Sequence, residues 1–453
     1  MATGISKLER HGVDALLAAR SHLDPHPMPE LSSRVSISYE GKLSESKILN
    51  PAPCSFVTVA KDGTKEPIEK ITANSFILTD NYFGLHELLA HGVKATLFYL
   101  DPPYGTGMEF HSRALEHAYK DDMCPAAYLE YMRRRLVLMR ECLDDQGSVY
   151  VHIGHQMVAH LKVVMDEIFG SRNFRNLIVR RKCSSKNFTQ YQYANLNDYI
   201  LFYTKTSKYK WNRPSFKPDD EWINKEYVKE DSKGRYKLVP VHAPGTRHGE
   251  TGLAWRGTPP PLGKHWQYAP SKLDELDAKG EIHWSRNGNP RRKVYLTDDK
   301  MVPLTDYWDR FRDAHHQSIL ITGYPTEKNL DMLRTIVSAS TEEGDLVVDP
   351  FCGSGTTLHA ADDLGRRWIG MDQSFSAAKA TITRLRHGLE PMGDYVERAA
   401  NAMELRPDLF GQVPMKINDR AINANDRRVD FSFVSDAWLL KDFSSELTAL
   451  GEI

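Results

Sequence analysis

Cysteine is scarce in this 453-residue chain: there are five, Cys54, Cys124, Cys142, Cys183 and Cys352. No two of them form a CxxC pair, so the spacing supports neither a zinc site nor a disulfide framework, and no metal is expected. Long apolar runs are absent. Without about 18 consecutive apolar residues, no transmembrane helix is expected. The opening residues, MATGISKLERHGVD, have no apolar stretch of the secretory-signal type, so the expectation is a cytoplasmic protein without a membrane partner. Glycine (29) and proline (24) are too few and too irregularly placed for a collagen-like chain. There is no internal repeat. Apolar residues make up 41 % and charged residues 26 %, an ordinary globular balance that excludes a wholly disordered chain. At ~150 residues per domain the length predicts two or three domains.

Net charge is also nearly absent, at −1, which argues against a polyanionic partner until its distribution is read. Between Ser171 and Lys300 there are 26 Lys and Arg against 14 Asp and Glu, an excess of +12 that leaves −13 for the rest. The same stretch holds five of the eight tryptophans: Trp211, Trp222, Trp255, Trp266 and Trp284. Basic residues interleaved with aromatics suit phosphate contact and base stacking. A solvated basic surface over a local tryptophan core is the alternative.

Around this stretch the pattern alternates between strands and helices. Residues 1 to about 70, with Pro25, Pro27, Pro29, Pro51 and Pro53, read as an extended or loosely packed N-terminal leader. Phe76–Leu78 is a short apolar run ending at Asp80, and Phe83–His91 has helical spacing. Ala95–Leu100 predicts a buried strand, closed by Asp101-Pro102-Pro103. A helix is predicted over 125–143, a strand over 149–153 and a helix over 156–169. The alternation resumes with helix 327–340, strand 346–349, helix 356–364, strand 368–372 and helix 375–388. The expected fold is α/β, a doubly wound, mostly parallel sheet interrupted by one basic insert.

Two motifs sit where such a sheet binds ligands, beyond the carboxyl ends of its strands. The first is Asp349-Pro350-Phe351-Cys352-Gly353-Ser354-Gly355-Thr356-Thr357, at a strand-to-helix turn. Its glycines allow close backbone approach, and Asp372, at the end of the next strand, is placed to accept ribose hydroxyls. Together they predict a nucleoside-containing cofactor. The second is Asp101-Pro102-Pro103-Tyr104-Gly105. The prolines stiffen the turn, Asp101 and the Pro102 carbonyl can accept hydrogens from one amino group, and Tyr104 offers a stacking face. That set suits an exocyclic amine on a planar base.

These two motifs closely resemble those of the amino-group DNA methyltransferases that act on adenine N6 or cytosine N4 with S-adenosylmethionine (SAM). The catalytic tetrapeptide precedes the glycine loop, the order of the β class. Thr79-Asp80-Asn81 resembles the family's acidic turn, which in relatives contacts the cofactor's adenine. Tyr324-Pro325-Thr326-Glu327-Lys328-Asn329 is similar to the family's His-Pro-Thr-Gln-Lys-Pro element beside the cofactor's methionine end; Tyr324, Glu327 and Asn329 depart from it. Gly365–Asp372 also matches. Tyr39–Lys42, Ala254–Gly257 and Lys264–Trp266 look like modification subunits of type III restriction systems.

The resemblance implies a SAM-dependent methyltransferase sheet in two halves, 71–170 and 316–390, around a DNA target-recognition region at 171–315, with a C-terminal extension at 391–453. It implies catalytic roles for Asp101, Pro102, Pro103 and Tyr104. SAM would be held by Asp80, Lys328, Asp349, Phe351, Gly353, Gly355, Thr356, Thr357 and Asp372. Arg180-Arg181-Lys182 and Arg291-Arg292-Lys293 are candidates for phosphate contact. The expected partner is double-stranded DNA, with a homodimer and a restriction subunit implied by resemblance alone. Aspartate at the first motif position leans toward adenine. Cytosine N4, RNA, and a DNA-binding subunit that needs a partner for activity stay open.

Overall fold

The computed structural model describes residues 35–50, 54–59, 65–104, 109–111, 117–120, 123–183, 191–313, 327–387 and 431–437. Eleven strands form one sheet. In chain order they are β1 (Phe56–Val59), β2 (Lys65–Pro67), β3 (Ser75–Leu78), β4 (Ala95–Leu100), β5 (Leu143–Ile153), β6 (Phe174–Arg181), β7 (Asn197–Thr204), β8 (Tyr307–Trp308), β9 (Leu346–Asp349), β10 (Arg367–Asp372) and β11 (Ser432–Asp436). Across the sheet the order is β8-β6-β7-β5-β4-β9-β10-β3-β11-β1-β2. Neighbours from β5 to β11 are parallel, while β7 runs antiparallel to both β5 and β6.

The central strands are apolar on both faces because both are covered. Phe98, Leu100, Val149 and Val151 face one core, which also takes residues of α1 (Asn81–Ala90), α2 (Pro125–Cys142) and α3 (Val158–Phe169). Leu97, Tyr99, Tyr150 and Val347 face the other, with α4 (Leu330–Ser340), α5 (Thr356–Asp363) and α6 (Phe375–His387). This is the doubly wound arrangement expected. The helix starts have local causes. Asp80 caps α1 through the Tyr82 N–H, Pro125 opens α2, and Asn329 caps α4 through the Met332 N–H. Asn329 thus replaces the family's proline with a residue equally suited to a helix start.

Two stretches differ from the sequence expectation. Part of the expected leader is firmly packed: Ile48 is buried, Lys42 pairs with Glu167 at 2.7 Å, and Phe56–Val59 and Lys65–Pro67 supply the last two strands at one end of the sheet. The β-branched run Phe56-Val57-Thr58-Val59 follows Pro51 and Pro53, and this proline-rich context masks its strand signal. Likewise, β6 and β7 fall inside the stretch read as the basic insert, yet they extend the central sheet. Their apolar cores, Leu177–Val179 and Tyr199–Tyr203, are flanked by the arginines and lysines that dominated the charge count.

Beyond β7 the chain builds a smaller unit. Lys229–Asp231, Gly234–Pro240, Pro290–Tyr295 and Ile282–Trp284 form a four-stranded antiparallel sheet. Val241, Trp255, Trp266, Leu273, Leu276 and Ile282 make its own core. Trp255 and Trp266 are therefore structural, each 2 % exposed, whereas Trp211 and Trp284 reach the surface.

Candidate active site

Strands β4 and β9 are parallel neighbours, with Leu97 opposite Val347 and Phe98 opposite Val348. Their C-terminal ends therefore bring the two sequence motifs side by side. The loop after β9 turns tightly into α5. Gly355 caps that helix at φ 72°, and a Cβ there would come 2.8 Å from the Thr381 side chain. The Thr381 hydroxyl donates to the Gly353 carbonyl at 2.9 Å. Asp372, ending β10, accepts the Gly353 N–H at 3.0 Å and the Ser374 N–H at 2.9 Å. It thus shapes the glycine loop. Thr356 and Thr357 are buried in the first turn of α5.

Asp349 accepts the Phe351 N–H at 3.0 Å. Burial pushes its carboxyl up to about 7, against the hydrogen bonds from Thr357 and Phe351. Burial pushes Asp372 up to about 6, against three backbone N–H groups. Among the described residues no Lys or Arg lies within ion-pair distance of either. A buried acidic pair without a protein cation fits a cationic ligand such as SAM.

The opposite wall comes from α1 and α2. Asp80 accepts Arg135 Nη2 at 2.7 Å, and Asn81 receives Arg135 Nε while donating its amide to the Pro350 carbonyl at 2.6 Å. The Arg135 guanidinium lies 3.5 Å from the Tyr131 ring centroid, and the Tyr131 ring is 6.2 Å from that of Phe351. Burial raises the Tyr131 hydroxyl to about 12, and the charges of Asp80 and Asp372 also raise it. Tyr131 and Arg135 escaped the sequence reading. The available signal was their position with Tyr128 at helical spacing on one face of α2. The Tyr128 hydroxyl donates to the Pro103 carbonyl at 2.7 Å.

In the catalytic motif, Asp101 Oδ1 accepts the Tyr104 hydroxyl at 2.9 Å, and Asp101 Oδ2 lies 2.5 Å from Lys328 Nζ. The Lys328 ammonium is also 5.7 Å from the Tyr104 ring centroid. The sequence placed Lys328 with the cofactor set; its ammonium pairs with the Asp101 carboxylate. Glu327 pairs with the buried guanidinium of Arg384, which also lies 3.4 Å from Ser354 Oγ on the glycine loop. The departure from glutamine at 327 is thus matched by a cation from α6. Tyr324–Thr326 lie outside the described residues.

The six phosphate-contact candidates separate. Arg180 is fully buried and donates to Asp198 and Asp313, so it cannot reach a phosphate, which corrects its assignment. Its position inside a strand of the central sheet is the reason. Lys182 pairs with Asp198 at 2.8 Å, and Lys293 with Asp231 at 2.7 Å. Arg181 Nε donates to the Cys183 carbonyl, and Arg292 donates to the Tyr268 hydroxyl. Arg291 is exposed.

With this geometry in view, similarity to known proteins becomes specific. The DNA methylase family profile (N6_N4_Mtase) matches residues 95–383. The type II methyltransferase M.EcaI of Enterobacter cloacae is 57 % identical over 93 % of this chain and 91 % of its own length. The type III restriction-modification enzyme StyLTI Mod subunit of Salmonella typhimurium is 26 % identical over 73 % of this chain and 56 % of its own. Among solved structures, the M1.HpyAVI–SAM complex aligns with 69 % of the chain at 16 % identity and a TM-score of 0.35. The chain belongs to the N6/N4 DNA methylase family, whose methyl donor is SAM.

Proposed function

We propose that the chain is a site-specific DNA methyltransferase that methylates the N6 amino group of adenine in double-stranded DNA, within a restriction-modification system in the cytoplasm. The observation that carries this reading is the Asp101 carboxylate, fixed by Tyr104 and Lys328 beside a buried acidic cradle. Relatives named as type II and type III modification enzymes support the setting. They also leave a homodimer and a restriction subunit as partners to be tested.

An exocyclic amine is a weak nucleophile inside a stacked duplex, so the base is extruded at a cost of a few kcal/mol. Tyr104 stacks on it. Asp101 and the Pro102 carbonyl accept its two amino hydrogens, which draws the nitrogen lone pair out of conjugation with the ring and stabilises the positive charge that grows on nitrogen. Pro103, tied to Tyr128, keeps the turn rigid. Bound SAM supplies a methyl group already activated by the sulfonium charge. Asp80, Phe351 and Asp372 are the groups that hold its nucleoside end, and Asp349 with Gly353, Gly355, Thr356 and Thr357 the remainder. The antiparallel unit within 205–306 is the part proposed to read the target, with Arg291 on its surface.

The test is methyl transfer from labelled SAM to unmethylated genomic DNA, followed by nucleoside mass analysis. N6-methyladenine in one sequence context is the expected result. N4-methylcytosine would replace the base assignment, and label confined to RNA would overturn the reading.

A further inference from the structure

Four polar side chains form a line across four adjacent strands beneath the catalytic loop. Arg180 on β6 stands directly opposite Asp198 on β7. Asp198 is two residues along β7 from Ile200, the cross-strand partner of His152 on β5. Tyr99 lies on β4, beside β5. All four are at most 4 % exposed. The contacts run without a break: Arg180 Nη1 to Asp198 Oδ2 at 3.4 Å, Asp198 Oδ2 to His152 Nε2 at 3.5 Å, and His152 Nδ1 to the Tyr99 hydroxyl at 2.9 Å. Arg180 is anchored in turn by Asp313 at 2.7 Å and by the Phe311 carbonyl at 2.6 Å.

Such a row costs desolvation that apolar residues would avoid. Its neighbours on the sheet face, Ile200, Phe202, Tyr150 and Ile178, belong to the apolar core. What the row touches is the catalytic loop. The His152 ring lies 6.1 Å from the Tyr104 ring, centroid to centroid. On the same strand end, a Cβ at Gly154 would come 3.0 Å from Tyr104 Cδ2, so the backbone there approaches the ring directly. Tyr104 is thus seated on His152 and Gly154 while its hydroxyl holds Asp101.

We propose that His152 and Asp198 are positioning residues for methyl transfer: they fix the Tyr104 ring, and through it Asp101, in the plane that receives the target base. The proposal rests on the reading of Tyr104 as the base-stacking group. The chemistry of the row sets the histidine tautomer. The Asp198 carboxylate, an acceptor only, faces Nε2, which places the ring proton there and leaves Nδ1 to accept the Tyr99 O–H. Burial lowers the His152 pKa, against the pull of Asp198 and Asp101, so the ring is the neutral bridge this arrangement needs. Burial opposes the Asp198 charge, yet the facing His152 ring N–H and the Lys182 ammonium at 2.8 Å outweigh it and keep that carboxylate ionised. A neutral bridge holds the ring without placing a second cation beside Lys328.

The test compares wild type, His152→Phe and His152→Gln in steady-state methylation of unmethylated genomic DNA, with SAM affinity measured by calorimetry. Phenylalanine keeps the bulk and loses the Tyr99 hydrogen bond and the polar contact with Asp198; glutamine retains an acceptor for Tyr99 and a donor for Asp198. The expected result is a fall in kcat of about 100-fold for H152F, the scale of a 1 Å misplacement, with SAM affinity and the KM for DNA within about twofold of wild type. H152Q recovers most of the loss. Wild-type kcat in H152F overturns the proposal, as does a fall that tracks only the folded fraction. If H152F does not fold, Tyr99→Phe, which removes one hydroxyl, is expected to lower kcat with KM unchanged; unchanged kcat there overturns the proposal too. Methylation of DNA by wild type alongside an indifferent H152F would sink this inference alone. Absence of any transfer to DNA by wild type would sink the functional reading and this inference with it.

Discussion

Asp101 shows how much of the chemistry rests on single residues. Both of its oxygens have donors, from Tyr104 and Lys328, so its position is set before any base arrives. Asp101→Ala is expected to retain SAM binding in calorimetry while methyl transfer falls by about 10³-fold, the scale of losing a preorganised charge-stabilising group. Asp349 leads to a pH prediction. Its pKa is raised to about 7, so the folded state keeps a proton that the unfolded chain releases near pH 4. Its contribution to stability is then full below about pH 4 and is lost as pH rises toward 7. Asp349→Asn removes this dependence. In thermal melts without SAM, the variant should be more stable than wild type at pH 8, with the gain gone by pH 4. Glu327→Gln restores the family's usual residue but strands the buried Arg384 guanidinium, which should cost about 3–5 kcal/mol in denaturant unfolding. The double change Glu327→Gln with Arg384→Met should recover much of that.

Among the elements, the β9-to-α5 turn and helix α2 divide the site between them. The turn needs a residue at φ 72° with no side chain toward Thr381, which only glycine supplies at 355. Gly355→Ala should therefore weaken SAM binding by at least tenfold in titration, and Thr381→Ser should not rescue it, because the backbone strain remains. Helix α2 presents Tyr128, Tyr131 and Arg135 on one face: Tyr128 holds the Pro103 carbonyl, while Tyr131 packs between Arg135 and Phe351. The strands and helices around both motifs were legible in the sequence, since apolar runs of four to six residues closed by Asp-Pro mark strand exits. The strands at 56–59, 174–181 and 432–436 were harder to read. Each is short or bordered by prolines or charges, and each has its place set by pairing with strands distant or reversed in the chain.

At the scale of the whole molecule, one sheet joins residues separated by more than three hundred positions, as β11 pairs with both β1 and β3. The antiparallel unit between β7 and β8 has a separate tryptophan core. Trp255→Ala should unfold that unit, at about 3–5 kcal/mol, and abolish DNA methylation while SAM binding by the central sheet persists; loss of both together would show one cooperative unit. The sequence alone determined the order of motifs, the family chemistry and the class of sheet. Those depend on local signals: Asp-Pro turns, glycines at strand ends and apolar periodicity. Only the tertiary structure decided which charges are free. Arg180 and Arg291 read alike in the chain, yet one is sealed against Asp198 and Asp313 and the other is exposed. Burial and pairing depend on residues far away in the chain, and a count of nearby charges carries no record of them.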